Sequence, residues 1–208
     1  MTDSAAHRHA AFQIVVAVRG EVAMLDACET CHRGTVLVVP PMTRHQLLAA
    51  ADVLTYFVEP HSAFADQLRE YDGITSASQL HGLGEEGIRS SAVHASSALD
   101  PRLVAAMDTT MADWELSMPE LAARVGLSPQ RLRALARREL GMPLTRWRAW
   151  ARLRRAAEAL TDGQSLAEAA ATASFADQAH LTRWMREMMG LTPSAVLPVL
   201  RAQSRRAV

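Results

Sequence analysis

Two stretches in the C-terminal half share one pattern: a short helix with a small inner residue, a tight turn, then a second helix with a split face. In the first, Met118-Pro119-Glu120-Leu121-Ala122-Ala123-Arg124-Val125 runs into Gly126, Leu127, Ser128 and Pro129. Leu121, Ala122 and Val125 share one side, and Ala122 is small enough for another helix to cross closely over it. Gly126 suits a turn that needs positive φ. Ser128 is placed to cap the next helix and Pro129 to open it. These residues commit this half of the chain to helix–turn–helix geometry.

The second helix of that unit, Pro129 to Leu140, turns Leu132 and Leu135 inward and sets Gln130, Arg133, Ala134 and Arg137 on the outside. In a major groove, glutamine can read adenine and arginine can read guanine. A long helix is expected from about Leu144 to Leu160, stopped by Gly163, with Trp147, Trp150, Leu153 and Ala157 as its buried stripe. Arg146, Arg148, Arg152, Arg154 and Arg155 crowd its remaining surface, where solvation is the expected fate of most. Leu166 to Ala173 opens a second unit with small Ala170 inside and Ser174 at the turn. Its outer helix, expected over Asp177–Met189, points Leu181, Trp184, Met185 and Met188 inward and Gln178, Ala179, Thr182, Arg183 and Arg186 outward. At about 1.5 Å per residue the connecting helix is about 25 Å long, enough to hold the two units apart. Units so held can enter successive major grooves about 34 Å apart.

Charge divides along the same line. Residues 1–99 carry 6 arginines against 11 acids, a net of −5, and residues 100–208 carry 16 against 11, a net of +5. The basic half is the one expected to meet nucleic acid. There is no lysine. No apolar run reaches the roughly 20 residues of a membrane span, and Met1–Ala10 lacks the apolar core of a signal peptide, so a cytoplasmic protein is expected.

From Leu121 to Leu197 the chain resembles the DNA-binding domain of the AraC/XylS transcription regulators. The resemblance lies in LAARVGLSPQRLRALARRELGMPL, in AEALTDGQSLAEAAATASFADQAHLTRWMREMMGLTPSAV, and in the arginine-rich helix between them. It implies binding to a double-stranded operator and contact with RNA polymerase, usually for activation. By position, base readout falls to Gln130, Arg133 and Ala134 in the first unit and to Gln178, Ala179, Thr182 and Arg183 in the second. Arg137 and Arg186 fall to phosphate. Two departures stand out: Ser174 replaces the usual turn glycine, and Ala176 replaces the usual capping serine. A lost cap costs about 1 kcal/mol, so a softer second unit is expected.

The front half is rich in β-branched residues. Runs at 12–18, 35–39 and 53–58 stop at Gly20, Pro40-Pro41 and Pro60 and read as strands. His7-Arg8-His9 with Gln13 and Gly20 resembles the first cupin motif, and Gly34 through Pro40 to His45 resembles the second. The resemblance implies a small barrel whose metal ligands would be His7, His9, Gln13 and His45, although Gln13 stands where a glutamate is usual. Alternate residues of one strand share a face, so both histidines can point inward. Three uses remain open for this domain: a divalent-metal site, a pocket for an organic effector, or a mainly structural barrel. Cys28-Glu29-Thr30-Cys31-His32 has the spacing of a haem attachment, but reads as a turn. Thiol metal binding, redox sensing, or two plain surface thiols are the readings for Cys28 and Cys31.

The expected fold class is α+β: a cupin-like β-barrel at 1–78, a linker at 79–100, an all-α domain with two helix–turn–helix units at 101–200, and a tail at 201–208. A barrel of about 80 residues leaves an open edge that a second copy can cover, so a homodimer is expected. The leading function is a sequence-specific DNA-binding regulator answering to a ligand or metal, not an enzyme. The alternatives are a cupin-type metal-dependent enzyme with a helical appendage and a DNA-binding protein without sequence preference.

Overall fold

The front domain is built on β1 (Phe12–Ala17), central between two paired strands, whose Val15 is buried on one face against a second sheet and whose Ile14 is buried on the other against a short helix. The computed structural model describes residues 4–48, 52–82 and 94–204. Around β1 are β2 (Val22–Asp26), β3 (Cys31–Gly34), β4 (Val36–Val39), β5 (His45–Leu47), β6 (Val53–Val58) and β7 (Thr75–Ser76). They pair antiparallel into a four-stranded sheet in the order β6-β1-β4-β7 and a three-stranded sheet in the order β3-β2-β5. The sheets pack through Val15, Leu37 and Val39 of the first and Val22, Met24 and Leu47 of the second. Gly34 sits where the chain passes between them, since a Cβ there would lie 2.7 Å from Ser76 Oγ.

The β-rich front domain is present, and in place of the expected cupin-like barrel it forms two sheets that share no ladder among the described residues. Strands of two to six residues are too short and too few to close on one another. A helix not anticipated from the sequence, α1 (Ala63–Leu68), buries Phe64, Ala65 and Leu68 against the other face of the large sheet, over Phe12, Ile14, Val36, Val38 and Val58. Of the expected linker, residues 83–93 lie outside the described residues. Residues 94–98 run back over α1: the Asp66 carboxylate accepts hydrogen bonds from the Ser96 hydroxyl and from the amides of Ser97 and Ala98.

The helical half contains α2 (Pro101–Ala112), α3 (Met118–Arg124), α4 (Pro129–Leu140), α5 (Leu144–Thr161), α6 (Leu166–Thr172), α7 (Gln178–Met189) and α8 (Pro193–Ser204). One core runs through it from Leu103 and Met107 past Leu121, Leu132, Trp147 and Leu153 to Leu181 and Met188. Ala10 and Ala11, at the entry to β1, belong to that same core, which ties the two halves together. No helix among the described residues is long and apolar enough to cross a membrane.

Candidate functional site

The two helix–turn–helix units repeat one backbone solution. Helix α3 opens on a reciprocal capping box between Ser117 and Glu120, and α6 on the same box between Ser165 and Glu168. After α3, Gly126 takes φ +67° and the Leu127 amide returns to the Ala122 carbonyl at 2.9 Å. After α6, Ser174 takes φ +56° and the Phe175 amide returns to the Ala170 carbonyl at 2.8 Å. Serine thus adopts the left-handed turn that glycine makes in the first unit.

Helix α4 is capped by Ser128 and buries Leu132, Leu135, Ala136 and Leu140. Gln130, Arg133, Ala134 and Arg137 are all exposed on the other side, as the spacing predicts. Arg133 and Arg137 also flank the start of α5, lining a shallow hollow with Pro143, Leu144 and Thr145. In α7, Gln178, Ala179, Arg183 and Arg186 are exposed and Thr182 is half-buried. The expected loss of a cap at Ala176 is corrected here. Asp177 does the capping, its carboxylate accepting from the His180 amide at 2.6 Å. His180 extends the arrangement by accepting from Trp184 Nε1 at 2.9 Å through Nε2, which leaves the proton on Nδ1.

The arginines of α5 are mostly neither solvated nor free for phosphate, and this too departs from expectation. Arg148 donates to the carbonyls of Trp114 and Leu116, fixing the loop before α3. Arg152 donates to the Ala173 carbonyl at 3.0 Å and lies over the Phe175 ring, fixing the turn of the second unit. Arg155 lies over Trp114. Arg154 pairs with Glu59 and Glu158, and Arg146 with Glu187 while also donating to the Arg8 carbonyl. The connector is a set of struts that sets the pose of both helix–turn–helix units.

The second cluster lies between the domains. His7, His9 and His45 are 4%, 0% and 1% exposed, and one ring nitrogen of each falls within 4.8 Å of the others. Backbone pairing builds it: His7 and His45 exchange amide–carbonyl bonds at 2.8 and 2.9 Å, and the Met42 amide donates to the His9 carbonyl. Each Nδ1 faces a carbonyl oxygen: Ala5 for His7, Ala11 for His9, Thr43 for His45. A carbonyl only accepts, so each Nδ1 carries the proton and each Nε2 keeps its lone pair. That is the tautomer that metal-ligating histidines adopt.

Burial pushes all three imidazoles below their usual range, His9 to about 4 and His45 to about 3. All are neutral near pH 7. His45 Nε2 is buried without a hydrogen-bond partner. His9 Nε2 lies 3.1 Å from Gln13 Oε1, so a lone pair faces the side-chain amide. Rotating the amide would satisfy that contact, and a cation between the two atoms would do so as well. The donor set, three imidazole nitrogens and an amide oxygen, suits a divalent transition metal such as zinc, nickel, copper or iron. The proposed ligands His7, His9, Gln13 and His45 are thus brought together. Cys28 and Cys31, by contrast, are free and exposed on the β2–β3 hairpin, apart from that cluster. Sequence reasoning missed the neighbours that wall the site, the rings of Phe57 and Trp150 at 5.3 and 5.7 Å from His9. Trp150 belongs to the helical half.

Residues 121–198 match the family model described as helix-turn-helix domain. No curated protein matches the chain. Among solved structures, unsaturated fatty acid-bound ToxT from Vibrio cholerae is similar over 96% of this chain and 91% of its own, with 12% identity and a TM-score of 0.64. A second ToxT structure, from Vibrio cholerae O395, gives 11% identity over 96% and 93%, with a TM-score of 0.58. A regulator with an AraC-type DNA-binding domain from Chromobacterium violaceum is 24% identical over 52% of this chain and 96% of its own, with a TM-score of 0.45. The ToxT likeness extends the shared fold through the front domain. Residues 121–198 are thus matched as a helix-turn-helix domain, and the likeness to ToxT shows a shared fold over nearly the whole chain.

Proposed function

We propose that the chain is an AraC-type DNA-binding transcription regulator that responds to metal, binding its operator sequence-specifically through α4 and α7 and sensing a divalent transition metal at His7, His9 and His45 with Gln13 as a weak fourth ligand. The observation that carries the sensing half is the convergence of three neutral, buried imidazoles whose Nδ1 protons are all committed to carbonyls. An amide in place of a carboxylate leaves the site with no compensating negative charge, which favours reversible over permanent binding. ToxT in its solved structure holds an unsaturated fatty acid, which supports a ligand-responsive reading of a chain with this fold, though with a different ligand.

On the DNA side, Gln130, Arg133, Gln178, Thr182 and Arg183 read bases, with Ala134 and Ala179 offering only apolar contact. Arg137 and Arg186 hold phosphate, the former beside the start of α5, where backbone dipoles favour an anion. The chain acts as a homodimer through its front domain and activates by touching RNA polymerase. An enzymatic use of the histidine cluster is disfavoured because none of the three rings is more than 4% exposed to a substrate.

Mobility shifts on the DNA upstream of the protein's own gene test the regulator reading. Sequence preference with a steep loss of affinity as salt rises supports it, and no binding at low salt rejects it. Elemental analysis of protein purified without chelator tests the metal: stoichiometric Zn, Ni, Cu or Fe is expected, and none after repletion rejects it.

A further inference from the structure

The segment that carries two of the three histidines is also bolted to the end of the second helix-turn-helix unit's outer helix. The Ala5 amide donates to the Gly190 carbonyl at 2.8 Å, and Gly190 is the left-handed residue that terminates α7. The approach is so close that a Cβ on Gly190 would collide with the Ala5 carbonyl and lie 2.6 Å from His7 Nδ1. The same Ala5 carbonyl faces the His7 Nδ1 proton. Glycine is required at 190 twice over, for φ +64° and for the contact.

Four further contacts share the load. Arg146 of α5 donates to the Arg8 carbonyl at 2.9 Å and pairs with Glu187 on the last turn of α7. It also lies over the Trp184 ring of α7. Trp150 of α5 packs against the His9 ring. Residues 5–9 therefore divide what they touch: the His7 and His9 rings meet the cluster, while the backbone of Ala5 and Arg8 meets the helical half.

We infer that loading of the histidine site is transmitted to the second helix-turn-helix unit through this Ala5–Gly190 latch, so that metal governs the pose of α7 on DNA. The inference rests on the metal reading of the cluster. Its physical basis is the coupling of two sites through one short element. A metal bridging His7, His9 and His45 pins the 5–9 segment to β5. That segment then holds Gly190, and with it the C-terminal end of α7. Without metal, three lone pairs converge in a buried space and the segment gains freedom to withdraw, releasing α7. The outward faces of both α4 and α7 are exposed in the latched arrangement, so the loaded form is the one organised for DNA.

The test uses the full-length chain, Co(II) absorbance for site occupancy, and fluorescence anisotropy on the upstream DNA with Zn(II) or with chelator. In the wild type, Zn(II) is expected to raise DNA affinity about tenfold, within the usual range of coupling energies. Two variants loosen the latch without placing an atom against the histidine rings: Ala5→Pro removes the donating N–H, and Arg146→Ala removes the tie from α5 to the Arg8 carbonyl and to Glu187. Both are expected to bind Co(II) like the wild type while their DNA affinity no longer changes with metal. His45→Ala is expected to lose both responses. Intact Co(II) spectra in the latch variants report folded sites. Latch variants that keep the full metal effect on DNA overturn the inference, as does a wild type that binds Co(II) with no change in DNA affinity. A wild type that takes up no metal instead overturns the reading of the cluster, and the latch falls with it.

Discussion

Glu59 Oε1, just past the end of β6, accepts a hydrogen bond from Trp150 Nε1 at 3.1 Å, a side-chain bond spanning 91 positions of sequence between the front sheet and the connector helix. Oε2 of the same carboxylate accepts from Trp147 Nε1 at 3.0 Å, and Arg154 completes the set. Glu59→Ala would leave two indole N–H groups unpaired in a closed interface. At about 1–3 kcal/mol for each buried unsatisfied donor, a total loss of about 3 kcal/mol is expected, measured as a lower denaturant midpoint. Glu59→Gln keeps one acceptor oxygen and should lose less. Equal loss in both variants would mean that charge pairing with Arg154, and not the indole bonds, holds the interface.

Ser174 offers a gain. A side chain in the left-handed region costs about 1–2 kcal/mol by sterics, and nothing in the turn needs the serine hydroxyl to offset it. Ser174→Gly is expected to stabilise the chain by about 0.5–1 kcal/mol after the added freedom of the unfolded glycine is subtracted. Gly126→Ala, in the equivalent turn of the first unit, should destabilise by a similar amount. Chemical denaturation of the pair measures both, and a Ser174→Gly variant no more stable than the wild type would show that the turn is relaxed as it stands.

These turns also mark how far the sequence could be read. Caps, turn glycines and the outward faces of α4 and α7 were legible because each depends on neighbours within four residues. His7, His9 and His45 were legible through the spacing that resembles the cupin motifs, although His7 and His9 precede β1 and only His7 pairs, in an isolated bridge to His45. The arginines of α5 were not, since their acceptors, such as the Ala173 carbonyl 21 positions from Arg152, are brought close only by packing. Asp177 was hidden by its neighbour: with Ala176 in the usual capping place, the cap moved one residue along. Helix α1 was too short to show a period. Gly190 read as a helix stop, which it is, but its second constraint comes from Ala5, at the far end of the chain.

Acid should weaken the metal-free protein. Unfolded histidine titrates near pH 6.5, whereas burial holds His9 at about 4 and His45 at about 3 in the folded chain. His7 and His61 are lowered as well, in both cases chiefly by burial, with Glu59 and Asp108 opposing it at His61. Between these limits the unfolded chain binds more protons than the folded one, so stability rises with pH. The stabilisation is complete above about pH 6.5 and is lost progressively as pH falls toward 3. Urea midpoints of chelated protein at pH 7.5, 6 and 5 should fall in that order. His45→Ala should flatten the dependence, and a flat profile in the wild type would mean the imidazoles are more open to water than the fold places them.

Base and phosphate contacts separate by their response to sequence and salt. Arg133 and Gln178 stand on the outer faces near the starts of α4 and α7, where side chains reach base edges. Arg133→Ala and Gln178→Ala are each expected to cost about 1–3 kcal/mol on the preferred operator and to relax preference at one position. Arg137→Ala and Arg186→Ala remove charge farther along each helix. They should weaken binding to all sequences alike and reduce the slope of log affinity against log salt by about one each. Quantitative anisotropy on matched and scrambled DNA at several salt concentrations resolves the two classes. If Arg137→Ala changed sequence preference without changing the salt slope, Arg137 would be a base reader, and α4 would sit deeper in the groove than this assignment of its residues allows.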